Sequence, residues 1–451
     1  MITAPYIRSS GLSGIFFWMT ISIFTMVIKG CNQPTFSDEI CMTRQYIKAN
    51  WKNTLEFNPR DTGTLIGLPF PYNVPTMSGE KMFREMYYWD TYFTNVGLLL
   101  DGQIQLAKNN TENILYLIRR FGNMPNGSRT YYLNRSQPPF ASMMVGDVYE
   151  ATGDLEWLNN AIPALEKEYQ FWITERTGPE GLNHYSSSAD SIQRIKMAEY
   201  LKVRFSNDEM IDTLTVEEKL VWGRHYTAEA ESGWDFTPRF QGRCEDHYPV
   251  DLNSYLFLWE KNFAYFAREN GNEVRAREWE EIASNRQKLI EKLLQDSITG
   301  LFLDYDFVNK KHSPVPSAAS FTTLFAGLVS QEEAFTIVKK LLPLLETDYG
   351  IRTCAYIGKE NNYQWGNINA WAPLHLMTIQ GLLNYSFDKE ARRISSKYLK
   401  LVAGHYKKSG KIWEKYNAID GSTQTVNEYE MPAFLGWTAG VFNYCMSILE
   451  E

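Results

Sequence analysis

Apolar residues recur at steps of three or four along much of this chain. Between residues 252 and 266, the residues on one helical face are Leu252, Tyr255, Leu256, Trp259, Phe263 and Phe266. Residues 289–294 and 391–402 repeat in the same way. Strict alternation of apolar and polar residues, which would indicate strands, is nearly absent. The pattern therefore predicts an all-α fold of stacked helical hairpins.

The first 30 residues have the pattern of an export signal. A short segment with one positive charge, Arg8, precedes the apolar run from Ile15 to Ile28. This run is too short to span a bilayer comfortably, but it suits the central segment of a signal peptide. The Gly30-Cys31 pair that follows resembles a bacterial lipoprotein processing site, at which Cys31 becomes the lipidated N-terminus.

We therefore expect an exported protein, either periplasmic or held at a membrane by a lipid on Cys31, with secretion as the alternative. Residues 31–55 read as a tether or lead-in helix. No linker rich in Pro, Ser or Gly interrupts residues 56–451, so these residues are predicted to form one catalytic domain. We expect a monomer whose only contact with a membrane is the lipid.

The amino-acid composition indicates which class of molecule this protein binds. The 451 residues are 44% hydrophobic and 22% charged, as in ordinary globular proteins. A net charge of -8 without a long basic run excludes nucleic acid as the expected partner. The aromatic fraction of 14% exceeds what a helical core normally requires. Aromatic faces stack on the C–H faces of sugars, so a disaccharide or another small glycoside is the expected ligand.

Neither a metal nor an organic cofactor is indicated. The cysteines other than Cys31 are scattered and form no C-x-x-C pair, and the six His residues are equally dispersed. One or two disulfides or four free thiols are equally compatible with this spacing.

Four stretches depart from the amphipathic pattern because they combine Trp, carboxylate, Asn and Arg residues. They are FREMYYWDTYF (83–93), PNGSRTYYLNRSQPP (125–139), AESGWDFTPRF (230–240), and the pair QWGNINAWAP (364–373) with NEYEMPAFLGWTAG (427–440). Rings beside polar groups are typical of a carbohydrate pocket.

Together these stretches resemble the motifs of the trehalases, glycoside hydrolases that split α,α-trehalose into two glucoses. The first stretch is similar to the signature GRFxExYxWDxY, and the fourth is similar to QWDxPxxWxP. The similarity covers roughly residues 66–445 in one order. It implies an (α/α)6 barrel and hydrolysis with inversion at the anomeric carbon.

Hydrolysis of this kind requires one carboxyl group as general acid and a second as general base. In the trehalase pattern the acid stands in an SGWDF segment, which implies Asp235 here; the plain alternative for this residue is a helix N-cap. The family's base precedes a Trp by nine residues in an EY pair, which implies Glu428 ahead of Trp437. Glu430 competes, because residues two apart in an extended segment point the same way.

The other motif matches imply a sugar-binding set. Asp90 would accept hydroxyl hydrogen bonds, aromatic rings would pack on the sugar, and Arg135 would offer a planar fork of donors. The complete set is Phe83, Trp89, Asp90, Asn126, Arg135, Gln137, Gly233 and Trp365.

The sequence also departs from the trehalase pattern. Met82 stands where the signature has Arg, and Gly366 where it has Asp. The expected PRPES segment is replaced by SSSADSIQR (186–194), and QTVN (424–427) replaces a glycine run. A pocket that hydrogen-bonds each hydroxyl discriminates through such contacts, so trehalose is less firmly indicated than the reaction class.

Two alternatives therefore remain. The first is a related inverting α-glucosidase or α-mannosidase that acts on a mannosylglycerate-type substrate, whose acidic group Lys81, Arg135 or Arg239 would meet. The second is a non-catalytic sugar-binding lipoprotein that uses the same cleft.

Overall fold

The computed structural model describes residues 36–80, 82–204, 214–358, 363–434 and 436–450. The predicted signal segment, Cys31 and Lys81 lie outside these ranges. The α-helices are α1 (Asp38–Asn50), α2 (Tyr88–Leu100), α3 (Ile104–Phe121), α4 (Ala141–Thr152), α5 (Leu155–Glu175), α6 (Ser191–Arg204), α7 (Val216–Glu231), α8 (Val250–Glu269), α9 (Glu273–Leu294), α10 (Phe321–Phe325), α11 (Gln331–Leu345), α12 (Ala372–Asn384), α13 (Asp388–Ser409) and α14 (Gly436–Glu450).

The β-strands are two or three residues long and pair only in antiparallel fashion within the described ranges. They are β1 (Leu55–Glu56) with β2 (Tyr72–Asn73), β3 (His247–Tyr248) with β4 (Tyr305–Asp306) and β5 (Lys311–His312), β6 (Glu346–Thr347) with β7 (Gly350–Ile351), and β8 (Asn369–Trp371) with β9 (Lys415–Asn417).

Six helices form a closed inner ring. In order around the ring they are α2, α4, α8, α10, α12 and α14, each packed on the next, with α14 returning to α2. Most of their residues are buried on all sides. This arrangement confirms the predicted all-α fold and its (α/α)6 barrel.

The outer helices bury only one face. In α9 the buried residues recur at steps of three or four, as in Trp279, Ala283, Arg286 and Ile290. Helices α3 and α5 pack on α4, and α13 packs on α12 and α14. Helices α6 and α7 form an additional hairpin between α5 and α8. The periodic segments 252–266, 289–294 and 391–402 lie in α8, α9 and α13, as predicted.

The segment predicted as a tether or lead-in helix contains α1, which packs on α13 and α14. Cys41 in this helix is disulfide-bonded, whereas Cys244, Cys354 and Cys445 are buried free thiols. Among the helices that the structure describes, none has both the length and the apolar character needed to cross a membrane.

The ring closes where glycines let the first and last inner helices approach. A Cβ atom at Gly440 of α14 would lie 1.9 Å from the backbone oxygen of Phe93 in α2. A Cβ atom at Gly97 would lie 2.5 Å from the Cα of Gly440. Any side chain at either position would therefore force α2 and α14 apart.

We predict that Gly440→Ala lowers the free energy of unfolding by roughly 1–3 kcal/mol, because the added methyl group overpacks this contact. Gly404→Ala in α13 is the matched control, since a Cβ atom there has nothing within 4 Å. The control should gain roughly 0.5–1 kcal/mol from helix propensity. Urea unfolding measures both changes, and equal effects of the two substitutions would contradict the packing argument.

Candidate active site

Five tryptophans from distant parts of the chain pack together where inner helices α2, α12 and α14 begin. They are Trp89, Trp234, Trp365, Trp371 and Trp437. Trp365 stacks on Trp371 with ring centroids 4.0 Å apart, and it contacts Trp89 and Trp234 at 5.6 and 5.4 Å. Each ring is at most 5% exposed. The cluster therefore forms a rigid wall behind the site.

The predicted acid, Asp235, lies in a tight loop after α7. Gly233 in this loop has a φ of +72°, and a Cβ atom there would lie 2.9 Å from the ring of Trp89. The backbone N–H of Thr237 donates a 2.5 Å hydrogen bond to Glu229, which closes the loop onto α7. Asp235 is half-buried, whereas the aromatic residues on either side of it are fully buried.

The acidic side chains of the site meet at Tyr429. Its hydroxyl donates a 2.6 Å hydrogen bond to Oε1 of Glu414. Burial raises the pKa of Tyr429 well above its usual range, and the charges of Glu414, Glu428 and Asp235 raise it further. Because electrostatic influence falls with distance, Glu428 and Asp235 both lie in the neighbourhood of this tyrosine.

Glu414 is a site residue that the four motif stretches did not include. It is 2% exposed, and its Oε2 accepts a 2.5 Å hydrogen bond from the buried amine of Lys415. Its backbone oxygen accepts a 3.0 Å hydrogen bond from Nε1 of Trp437. The segment WEKY (413–416) combines rings and charges as the four stretches do, so the same compositional signal could have found it.

Asp90 lies in the first turn of α2 and is half-buried. Desolvation of its carboxyl group raises the pKa from the ordinary 3.8 to about 7, and the nearby charge of Glu414 contributes to the rise. The carboxyl group of Asp90 therefore ionises near neutral pH, and its neighbour Glu414 links it to the carboxylates around Tyr429.

Of the two glutamates that spacing left open, Glu428 is turned toward the site. Its Oε1 accepts a hydrogen bond from the hydroxyl of Tyr200 in α6, and its Oε2 accepts one from Gln364 at 3.4 Å. The backbone N–H of Glu428 donates to Oε1 of Gln364 at 2.7 Å. Glu430 is exposed.

Two of the predicted sugar-binding residues hold the backbone of the site. Nδ2 of Asn126 donates to the carbonyl oxygens of Ser136 and Ala230 at 3.3 and 3.2 Å. Oε1 of Gln137 accepts hydrogen bonds of 3.1 and 3.3 Å from the first N–H groups of α2. Both side chains are buried.

Arg135 and Phe83 retain partial exposure. The guanidinium group of Arg135 lies over the ring of Tyr132 and donates to Asn134 at 2.9 Å. Its Nε is buried and has no hydrogen-bond partner within the described part of the chain. The ring of Phe83 packs edge-on against Tyr429 at 5.0 Å.

The departures from the trehalase pattern have structural counterparts. Arg84 pairs with Glu56 and donates to nearby backbone carbonyls, so it does not replace the arginine missing at Met82. Where the PRPES segment is expected, the chain leads into α6, whose Tyr200 reaches Glu428.

Arg239, one of three cations considered for an acidic substrate group, has a structural role. It is fully buried and pairs with Asp251 and Asp304 at 2.8 Å each. Its guanidinium group also lies 4.2 Å from the ring of Trp234. Lys81, the second of these cations, lies outside the described residues. Arg135, the third, has a buried Nε that no hydrogen-bond acceptor in the described part of the chain satisfies.

Glycoside hydrolases use a pair of carboxyl groups at the scissile bond, and the carboxylates near Tyr429 are compatible with this class of enzyme. The chain belongs to the trehalase family, since the family model described as Trehalase matches residues 34–450. A periplasmic trehalase of Xanthomonas axonopodis pv. citri is 33% identical over 400 residues, covering 84% of this chain and 68% of the relative.

Solved structures agree with this assignment. The neutral trehalase Nth1 of Saccharomyces cerevisiae is similar with a TM-score of 0.72 and 27% identity, covering 90% of this chain and 80% of that one. A GH63 mannosylglycerate hydrolase from Thermus thermophilus has a TM-score of 0.60 at 15% identity, covering 89% and 99% of the two chains. The latter similarity concerns the fold alone.

We predict that Asp90→Asn stabilises the protein at pH 8 but not at pH 4. The folded carboxyl ionises near pH 7 and the unfolded one near 3.8, so folding takes up a proton between these values. Stability therefore falls as pH rises through this window, and the penalty is complete above pH 7. We expect the variant to gain roughly 1–3 kcal/mol at pH 8. Urea unfolding at both pH values measures this, and a pH-independent difference would contradict it.

Proposed function

We propose that this chain hydrolyses α,α-trehalose to glucose with inversion at the anomeric carbon. The family match spans residues 34–450, and a relative named periplasmic trehalase shares 33% of the aligned residues. The observation that carries the proposal is the hydrogen bond of Tyr429 to Glu414, together with the electrostatic influence of Glu428 and Asp235 on the same tyrosine. Hydrolysis of a glycosidic bond requires a pair of carboxyl groups of this kind.

Asp235 is proposed as the general acid. In its protonated form it donates to the oxygen that links the two glucose units, so the leaving glucose departs as a neutral alcohol. A carboxylate base on the opposite face takes a proton from water, whose oxygen bonds to the anomeric carbon. One product is then β-glucose, and the leaving glucose keeps its α configuration.

Two carboxylates are candidates for the base. The motif interval favours Glu428, which precedes Trp437 by nine residues. Burial favours Glu414, whose side chain is 2% exposed. Both of its carboxylate oxygens accept hydrogen bonds, which fix its orientation. The carboxylate that is not the base is proposed to bind sugar hydroxyls or the attacking water.

The remaining predicted residues fall into two groups. Those with exposed surface are proposed to contact the sugar directly, and they are Phe83, Asp90 and Arg135. Those that are buried are proposed to shape the site from behind, and they are Trp89, Asn126, Gln137, Gly233 and Trp365.

The substrate is tested by incubating purified protein with trehalose and recording the anomeric protons of the products by NMR. We expect α- and β-glucose in equal amounts at first, before mutarotation mixes them.

The second candidate is the related inverting α-glycosidase, favoured by Met82, Gly366 and the unpartnered Nε of Arg135. Cleavage of mannosylglycerate or another α-glycoside without cleavage of trehalose would support it. Binding without cleavage would indicate a sugar-binding protein.

We predict that Asp235→Asn lowers kcat on trehalose by about 10²–10⁴-fold, because the leaving glucose is no longer protonated. Hydrolysis of α-glucosyl fluoride should fall by less than about tenfold, since fluoride departs without a proton. Steady-state rates on both substrates measure the difference. Near-native turnover of trehalose by the variant would refute the acid assignment.

We predict that removal of the base slows both substrates by about 10²–10⁴-fold, because the attacking water is not deprotonated. Glu428→Ala and Glu414→Ala are compared on α-glucosyl fluoride with and without azide, an anionic nucleophile that needs no base. Azide should restore turnover and yield β-glucosyl azide only in the variant that lacks the base. Rescue in neither variant would contradict both candidates.

Export to the periplasm is proposed from the signal-like N-terminus and from the names of the relatives. The monomeric state belongs to the same proposal. A lipid on Cys31 is its competing part, because a lipidated sulfur cannot form a disulfide and, of the other cysteines, Cys41 is disulfide-bonded while Cys244, Cys354 and Cys445 are free. Fractionation of cells that express the full chain or Cys31→Ser tests the anchor. Membrane association of the unsubstituted chain that the substitution abolishes is expected, and equal distribution of both would contradict the lipid.

A further inference from the structure

We propose that Glu231 is a positioning residue. It fixes the loop that carries Asp235, called the acid loop here, relative to the sugar-binding segment around Arg135 and Gln137. Glu231 is the last residue of α7, four positions before Asp235, and it is fully buried. The inference rests on the proposed function, because it assigns a role relative to Asp235. Glu231 acts through the backbone of neighbouring segments and does not itself contact the reacting atoms.

The carboxylate of Glu231 accepts four hydrogen bonds. Its Oε1 accepts from the backbone N–H of Ser136 at 2.8 Å and from Nη2 of Arg176 at 3.0 Å. Its Oε2 accepts from the backbone N–H of Ser186 at 2.8 Å and from Nε of Arg176 at 2.9 Å. Such a set of donors compensates a buried negative charge. One side chain thereby connects the end of α7 with Ser136 and with the stretch from residue 176 to residue 186.

Two of the partners of Glu231 belong to segments that border the site. Ser136 stands between Arg135 and Gln137, both of which belong to the predicted sugar-binding set. Ser186 begins the segment that replaces PRPES and leads into α6. Arg176 is the C-cap residue of α5. Glu231 therefore sets the distance between the acid loop and its neighbours on two sides.

A second contact joins the same segments and extends the connection. Nδ2 of Asn126 bridges the carbonyl oxygens of Ala230 and Ser136, at 3.2 and 3.3 Å. The adjacent Gln137 accepts the first N–H groups of α2, the helix that carries Asp90. The chain of hydrogen bonds thus runs from the acid loop to the carboxylate proposed to hold the sugar.

Replacing Glu231 with Gln keeps the size of the side chain but turns one acceptor into a donor. The new N–H group would face the N–H of either Ser136 or Ser186, and two donors cannot form a hydrogen bond. One segment must therefore move away from the acid loop. The four hydrogen bonds of Glu231 do not include Glu414 or Glu428, so the direct effect of the substitution falls on the acid loop and its neighbours.

We predict that Glu231→Gln lowers kcat on trehalose by about 10²-fold, the effect of displacing a catalytic group by about 1 Å. Turnover of α-glucosyl fluoride should fall by less than about tenfold, because that reaction does not need the acid. The unsubstituted enzyme and Asp235→Asn are measured beside it. If Asp235→Asn shows no preference for the fluoride, the proposed acid is wrong; if it does and Glu231→Gln does not, the positioning role alone is wrong.

Asp101→Asn is the matched control for loss of a buried carboxylate. Asp101 pairs with Arg44 and accepts hydrogen bonds from Trp51 at 2.6 Å and Asn443 at 3.0 Å. It lies just after the C-terminal end of α2, about 16 Å along the helix axis from Asp90. We expect Asp101→Asn to lower Tm and to leave unchanged the ratio of the rate on trehalose to the rate on α-glucosyl fluoride. A ratio that changes equally in both variants would overturn the inference.

If Glu231→Gln does not fold, Arg176→Lys tests the same link, because it keeps the charge and removes the two-pronged contact. The expected result is again a selective loss on trehalose. An unchanged ratio of the two rates in a folded Arg176→Lys variant would then overturn the positioning role.

Discussion

The site depends on gathering carboxyl groups in a space that solvates them poorly. Asp90, Asp235, Glu414 and Glu428 are linked electrostatically through Glu414 and Tyr429. Like charges at short range in a desolvated site cannot all ionise freely, so each must be hydrogen-bonded or protonated. The hydroxyl of Tyr429 and the amine of Lys415 stabilise the charge of Glu414, whereas Asp90 holds its proton to about pH 7. Asp90 thereby adds no further negative charge to this group of carboxylates below about pH 7.

The tryptophan wall and the closed ring make that arrangement rigid. Trp365 and Trp371 stack in parallel, and their neighbours come from α2, the acid loop and α14. The wall therefore links segments that the inner ring brings to one end. Because α14 returns to α2 through Gly97 and Gly440, the first and last parts of the fold share this wall. Its buried rings have little surface for a sugar, and their contribution is to exclude water and to fix the loops in front of them.

Helical periodicity predicted the positions of helices, whereas the sequence motifs predicted individual residues of the site. Helical spacing located segments such as 252–266, but a period of 3.6 residues reports one helical face and contains no information about ring closure, which came from the family resemblance. Motifs located Asp90 and Asp235 because short signatures surround them. Spacing could not separate Glu428 from Glu430, since the answer depends on contacts with Gln364 and Tyr200 that lie far away in the sequence. Glu414 was missed because the four stretches did not include WEKY (413–416), although this segment has the same mixture of rings and charges.

Some departures from the trehalase pattern border the contacts of the proposed acid and base, since Ser186 begins the replaced segment and donates its N–H to Glu231, and QTVN (424–427) directly precedes Glu428. Asp235 follows a loop that buried hydrogen bonds fix through Glu229 and Glu231, and Glu414 is held at both of its oxygens. Met82 is half-buried, and residues 186–194 approach the site from one side through α6. The two carboxyl groups that hydrolysis requires are present although residues around them differ from the trehalase pattern. A pocket discriminates among sugars through its hydrogen bonds to the hydroxyls, so the divergence bears more on the identity of the substrate than on the class of the reaction.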